Sequence, residues 1–155
     1  MKKIILVLAA ALCFMSVSNA QPKSIGARLG YGLVASYEHY IGEPNFLEVN
    51  AGFWNVGINF TGTYNFVFAQ PDWTTKGQWS WYAGPGISLG TAHFKGDDGN
   101  FFFGLLGQVG LEYRFWFPLE LSADLRPTVG ICDGKFYNSG LFLGFLPAIS
   151  VRYSF

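Results

Sequence analysis

The stretch Phe145 to Phe155, FLPAISVRYSF, decides how the rest of the chain reads. Phe145, Pro147, Ile149, Val151, Tyr153 and Phe155 fall on one parity, and Leu146, Ala148, Ser150, Arg152 and Ser154 fall on the other. Successive side chains of a strand point to opposite sides, so a strand here has one apolar and one mostly polar face. A chain that stops on such a strand needs that strand paired, because unpaired backbone groups are costly once removed from water.

Working back from that end, the same two-residue alternation fills eight segments: Ser24 to Tyr31, Leu33 to Ile41, Phe46 to Trp54, Val56 to Phe68, Trp79 to Phe94, Phe101 to Phe115, Leu119 to Ile131, and Leu141 to Phe155. Between them lie Gly42-Glu43-Pro44-Asn45, Gln70 to Gly77, Lys95 to Asn100, and Asp133-Gly134-Lys135, all rich in residues that turn the chain. In the sixth segment Phe101, Phe103, Leu105, Val109, Leu111, Tyr113 and Phe115 oppose Gln108, Glu112 and Arg114. The seventh sets Leu119, Leu121, Ala123, Leu125, Val129 and Ile131 against Glu120, Ser122, Asp124, Arg126 and Thr128. No long helical period interrupts this pattern.

The charges say which face meets which solvent. Arg28, Arg114, Arg126 and Arg152 all take polar-parity positions within strands, and Glu38, Glu48, Glu112, Glu120 and Asp124 share their face. Glu43, Asp72, Asp97, Asp98 and Asp133 fall in the breaks, and Lys23, Lys76, Lys95 and Lys135 fall at ends or in breaks. An arginine facing lipid near the midplane costs roughly 2–4 kcal/mol. The expectation is therefore an all-β, eight-stranded antiparallel up-and-down transmembrane β-barrel, apolar outside, with an interior network of Arg28, Glu38, Glu48, Glu112, Arg114, Glu120, Asp124, Arg126 and Arg152. A sheet can cross a bilayer only if its edges close, and eight strands leave an interior just wide enough for side chains to fill.

Composition agrees with that class. Half of the residues are hydrophobic and 19% are aromatic, rich for a soluble domain of 155 residues. Aromatic residues gather near segment ends, where interfacial girdles are expected: Tyr40, Phe46, Phe68, Trp79, Trp81, Phe115, Trp116, Phe117, Tyr153 and Phe155 at one rim, and Tyr31, Phe53, Trp54, Phe94, Phe101, Phe136 and Tyr137 at the other. Lys2 and Lys3, the apolar run Ile4 to Met15 and the small residues before Gln21 form an expected cleavable signal peptide over 1–20, leaving a barrel domain over 21–155. Removing that leader leaves Cys132 as the lone cysteine, so no internal disulfide is expected. No basic cluster remains, and nucleic acid is not an expected partner.

The chain resembles the small eight-stranded outer-membrane β-barrels of the OmpX and OmpA transmembrane-domain type. The resemblance is carried by Val151-Arg152-Tyr153-Ser154-Phe155, an alternating strand ending in Phe with Tyr two positions before it. Trp81-Tyr82-Ala83-Gly84-Pro85-Gly86 also resembles a phrase of Bacteroidetes barrel proteins. The resemblance implies residence in the outer membrane of a Gram-negative bacterium, contact with outer-membrane lipid, and reading of Tyr153 and Phe155 by the barrel-assembly machinery. Two features depart from the family: a long break at 69–78 on the side where short turns are usual, and Pro85, Pro127 and Pro147 within strands. Proline deletes a ladder donor, so bulges or rim positions are expected there.

Nothing in the sequence assembles a catalytic site. His93 with Asp97 or Asp98 and Ser139 lacks any motif spacing for a lipid A-modifying enzyme, and His39 sits on the apolar parity. Asp97, Asp98 and Asp133 read as turn formers rather than metal ligands, and no cofactor is expected. The favoured role is a plugged barrel that anchors in the envelope or presents its loops to a surface partner the sequence does not specify. The competing readings are a narrow porin-like channel, the lipid A-modifying enzyme, and a soluble lipocalin-like carrier with its apolar face inward.

Overall fold

The computed structural model describes residues 22–30, 32–42, 44–54, 57–92, 100–132, 135–138 and 147–155. Ten strands occur among the described residues: β1 Lys23–Leu29, β2 Leu33–Tyr40, β3 Phe46–Trp54, β4 Gly57–Ala69, β5 Gln78–Ala92, β6 Asn100–Arg114, β7 Glu120–Leu125, β8 Thr128–Cys132, β9 Lys135–Asn138 and β10 Ala148–Ser154. No helix occurs among the described residues. Every pairing is antiparallel, and β5 pairs with β6 while β1 pairs with β10, so the sheet closes on itself. Strands β7 and β8 both pair with β6 and make one stave, and β10 and β9 make the next by pairing with β7 and β8. The result is a closed, eight-stranded antiparallel β-barrel.

Closure is made by backbone. Ser24↔Ser154 through Leu29↔Ile149 are in register, and Lys23 and Phe155 exchange both amide bonds, at 3.1 and 2.8 Å. The order was legible from alternation, but the limits of the last two staves were not. The seventh segment breaks at Arg126 and Pro127, where proline has no N–H to give, although the Pro127 carbonyl still accepts from Gly107 N at 3.0 Å. Lys135, read as part of a turn, begins β9, and the described part of the final stave resumes with Pro147 and β10. Residues 139–146, including the predicted start at Leu141, lie outside the described residues.

Pro85 departs from expectation, being neither at a rim nor at a bulge. It sits inside β5 opposite Gly107, and the β4–β5 register runs to Thr63↔Gly86 and resumes only at Phe66↔Ala83. The ladder is thus interrupted at the proline, as the missing donor requires. The register irregularity of that pair lies elsewhere, between Val67 and Ala69.

The two faces are inverted relative to a water-soluble domain. Along β6, Phe101, Phe103, Leu105 and Val109 are exposed while Phe102, Leu106, Gln108 and Glu112 are buried. Leu29, Leu33, Phe66, Leu105, Ile149 and Val151 all point outward and are exposed. Contiguous apolar surface on this scale is rare on a soluble monomer, where the largest patch is typically about 300–600 Å².

Candidate functional site

Inward parity on six staves brings the charged residues together. Glu38 on β2 and Glu48 on β3 are register partners, both with no exposure, and like charges placed directly opposite repel. Arg152 of β10 lies between them, with Nη2 2.8 Å from Glu38 Oε1 and 3.0 Å from Glu48 Oε1. Its other nitrogens are also used: Nη1 donates to Ser122 Oγ at 2.8 Å and Glu120 Oε1 at 3.2 Å, and Nε donates to Ser36 Oγ at 3.0 Å. A guanidinium suits this place because its donors form a rigid fork that stays charged.

From that hub the ion pairs run in two directions. Glu48 Oε1 meets Arg126 Nη2 at 2.5 Å, and Arg126 Nε lies 3.1 Å from Asp124 Oδ1. Asp124 in turn accepts a two-pronged contact from Arg28, Nε at 3.1 Å and Nη2 at 2.6 Å, the geometry in which such pairs are strongest. On the other side Glu120 leads to Arg114 at 3.7 Å, and Arg114 to Glu112 at 3.5 Å. All nine residues expected in the interior network are therefore linked in one connected set. Each ion-pair partner Glu38, Glu48, Glu112, Glu120 and Asp124 is buried.

Neutral members of the network were not singled out from sequence. Gln108 Nε2 donates to Glu48 Oε2 at 2.9 Å, Ser36 Oγ to Glu48 Oε1 at 3.2 Å, and Ser24 Oγ to Glu120 Oε2 at 3.1 Å. Their signal was available, since all share the parity of the charges. Tyr40 and Phe46 correct the girdle assignment: Tyr40 follows Glu38 by two positions and Phe46 precedes Glu48 by two, so both point inward. With Tyr82 they form a buried aromatic cluster, ring centroids 5.3 and 5.1 Å apart. The Tyr40 hydroxyl donates to Glu112 Oε1 at 2.9 Å, and the Arg114 guanidinium lies 4.5 Å from the centre of its ring. Aromatic faces attract cations, so this cluster and the Arg114 pairs fill the interior toward the rim where β1 begins and β10 ends.

Glu38, Glu112 and Glu120 bring carboxylate oxygens within 4.8 Å of one another. Three hard oxygen donors are the right chemistry for calcium or magnesium, but Arg152 and Arg114 already occupy the cationic positions beside them. Asp97, Asp98 and Asp133 lie outside the described residues, as do His93 and Ser139. His39 is on the outward face, with Nδ1 buried and accepting or donating no hydrogen bond. Cys132 is a buried free thiol on the inward face, paired in register with Phe102. Tyr153 and Phe155 face outward and are exposed. An interior of this kind offers charge and hydrogen bonds, not the apolar cavity that a carrier of apolar ligands needs. Compared with known proteins, the chain matches no family model, no curated protein and no solved structure.

Proposed function

We propose that the chain is an integral outer-membrane protein, an up-and-down transmembrane barrel whose plugged interior makes it an anchoring or surface-presenting component of the envelope. The single observation that carries this reading is the inversion of its faces: Arg152, Glu38, Glu48 and Glu120 are sealed inside, while Phe66, Leu105, Ile149 and Val151 are exposed on the outside. Burying ions inside and leaving large apolar side chains in water would raise the free energy on both counts. Hydrocarbon around the barrel removes the second penalty and leaves the first to be met by the arginine–carboxylate pairing. In this reading the leader directs export, outer-membrane lipid surrounds the wall, and Tyr153 and Phe155 are recognised by the barrel-assembly machinery. Neither a metal, a cofactor nor nucleic acid has a part.

Extraction tests it. The protein is expected to stay with the membrane in high salt and alkaline carbonate and to leave only with detergent. Release by salt or carbonate alone refutes the reading. The plugged interior is tested separately in planar bilayers, where no stable single-channel current is expected; a steady current abolished by replacing Arg114 would make the barrel a narrow channel instead.

A further inference from the structure

We propose that the mouth of the barrel at the end away from Lys23 and Phe155 binds a small oxyanion, the carboxylate or phosphate group of a polar solute, between the guanidinium groups of Arg28 and Arg126 and the side-chain amide of Asn50. The inference goes beyond the anchoring role. It stands on the barrel interior alone and does not depend on where the barrel resides.

The ion network divides its charge unevenly along the barrel. Toward the termini, Glu38, Glu112 and Glu120 gather around Arg114 and Arg152. At the other end Arg28 and Arg126 converge on one carboxylate, Asp124, at 2.6 and 3.1 Å, and the second partner of Arg126, Glu48, is shared with Arg152. The cationic side of the network therefore faces the mouth. Arg28 and Arg126 also keep 14% and 9% of their side-chain surface exposed, whereas Arg152 keeps none. Above them the inward-facing Asn59 is exposed and Gly90 and Gly130 are half-buried, so solvent reaches the two guanidiniums through this end. A mouth of one sign concentrates ions of the other from solution.

Each guanidinium keeps a donor to spare. Arg28 spends Nε and Nη2 on Asp124, and its Nη1 lies 3.7 Å from the position a Cβ would take on Gly30, just past the end of β1. Arg126 spends Nη2 on Glu48 and turns Nε toward Asp124, which leaves its own Nη1 uncommitted among the described residues. Asn50 supplies the neutral part. It is 2% exposed, yet neither its Nδ2 nor its Oδ1 has a hydrogen-bond partner among the described residues. Of its two register partners, Ser36 is engaged by Glu48 and Arg152, and Thr61 has a buried Oγ1 that is likewise unpartnered. Side chains directly opposite in a sheet stand about 4.5–5.5 Å apart at Cβ, so Asn50 and Thr61 are close enough to hold one ligand together and do not serve each other. Ser150, the register partner of Arg28, is fully buried with its hydroxyl also unpartnered. Buried polar groups without partners are costly. An amide N–H, two hydroxyls and two guanidinium nitrogens all donate, and the oxygens of an oxyanion accept from all of them; arginine forks match carboxylate and phosphate in particular. A cation in the same place would be repelled by Arg28 and Arg126.

The test uses the folded chain in neutral detergent micelles and two probes, inorganic phosphate and acetate, each titrated against sodium chloride at matched ionic strength. The readouts are the NMR resonances of the Asn50 side-chain amide and of the Arg28 and Arg126 Nε–H groups, with Arg114 as the reference at the opposite end. Saturable movement at Asn50, Arg28 and Arg126, and none at Arg114, is expected with phosphate or acetate, and the tighter of the two names the class of oxyanion the site takes. Asn50→Ala removes no hydrogen bond made by that side chain. It is expected to leave the gel shift of the folded barrel intact while weakening binding roughly tenfold, as loss of a hydrogen bond to a charged group does. Arg28→Met is expected to weaken binding at least as much, and Lys76→Gln, an exposed cation lost from the opposite rim, to leave it unchanged. Equal movement with chloride, movement that never saturates, or an affinity untouched by Asn50→Ala overturns the proposal and assigns Asn50 to ordered water. A loss in Lys76→Gln as large as that in Arg28→Met overturns it too, because the attraction is then to the surface at large.

Discussion

Glu48→Ala tests whether the interior is packed shut. Glu48 is fully buried and holds Arg126 at 2.5 Å and Arg152 at 3.0 Å through one oxygen, while its other oxygen accepts from Gln108 at 2.9 Å. Removing one partner of a buried pair generally costs about 3–5 kcal/mol, because the remaining charge is stranded. Here each stranded arginine keeps a second carboxylate, Asp124 for Arg126 and Glu38 and Glu120 for Arg152, so the lower end, about 3 kcal/mol, is expected. That is a large part of the roughly 5–15 kcal/mol that holds a domain together. If water filled the interior, the same pair would behave as an exposed one worth about 0–1 kcal/mol. The assay is reversible urea unfolding in vesicles, read by tryptophan emission and by the gel shift between folded and heat-unfolded barrel. A double-mutant cycle with Arg126→Met separates the pair from side effects. A loss below about 1 kcal/mol, with no coupling in the cycle, refutes the packed interior and favours a hydrated lumen.

Three further outcomes follow from named contacts. Leu105→Arg, at an exposed outward position two residues from the middle of β6, should cost roughly 2–4 kcal/mol in a bilayer, measured by the same unfolding; a change within about 0.5 kcal/mol, as on an ordinary wet surface, would mean that face sees water. Gly26→Val should destabilise by at least about 1–3 kcal/mol through overpacking, since a Cβ there runs into the Val151 carbonyl and lies 2.6 Å from Arg152 Cα, whereas Gly107→Ala, whose Cβ meets nothing within 4 Å, should be near neutral; equal effects would contradict the closing seam. Deletion of Phe155 should reduce surface yield in cells more than it reduces spontaneous insertion into vesicles, because it removes both the proposed assembly signal and the exchange of bonds with Lys23; undiminished surface yield counts against the signal.

How much could be read in advance depends on whether a feature is local. Side-chain parity is local, so the inward set Arg28, Glu38, Glu48, Glu112, Arg114, Glu120, Asp124, Arg126 and Arg152 could be taken from spacing alone. Tyr40 and Phe46 lie near segment ends, where a girdle belongs, yet they share the parity of Glu38 and Glu48, and parity decides the face. Partner choice is not local: Arg152 meets Glu48 across 104 residues of chain, and that contact depends on how the staves are staggered around the barrel. The stave broken at Pro127 and the one resumed at β10 were also hidden, since alternation continues through Arg126 and Pro127 even where the ladder does not. The 70–77 turn folds back so that the Trp73 ring lies 5.6 Å from that of Trp79; this depends on Gly77, at φ 77°, and on the Tyr113 hydroxyl, which donates to the Lys76 carbonyl at 2.8 Å, and a list of turn-forming residues cannot say whether the turn swings outward or onto the wall.

The charge network also explains why the barrel closes in one register. A slip of one residue moves every side chain of a strand to the other face, so a shifted β10 would turn Arg152 outward and Tyr153 inward, and a shifted β1 would do the same to Arg28. In a bilayer, as proposed above, a displaced arginine costs up to roughly 2–4 kcal/mol, most near the midplane, and the carboxylates left behind lose their partners as well. At the seam the register is fixed further by size. Arg152 is paired with Gly26, and its side chain reaches past β1 to Ser36 on β2 and Glu48 on β3. A glycine opposite the arginine leaves that crossing open and lets β1 lie close against the Val151 carbonyl. A network that contributes little net stability on its own, as buried ion pairs often do, can still penalise the wrong closure heavily, and an eight-stranded barrel with its first and last strands adjacent has every reason to need that penalty.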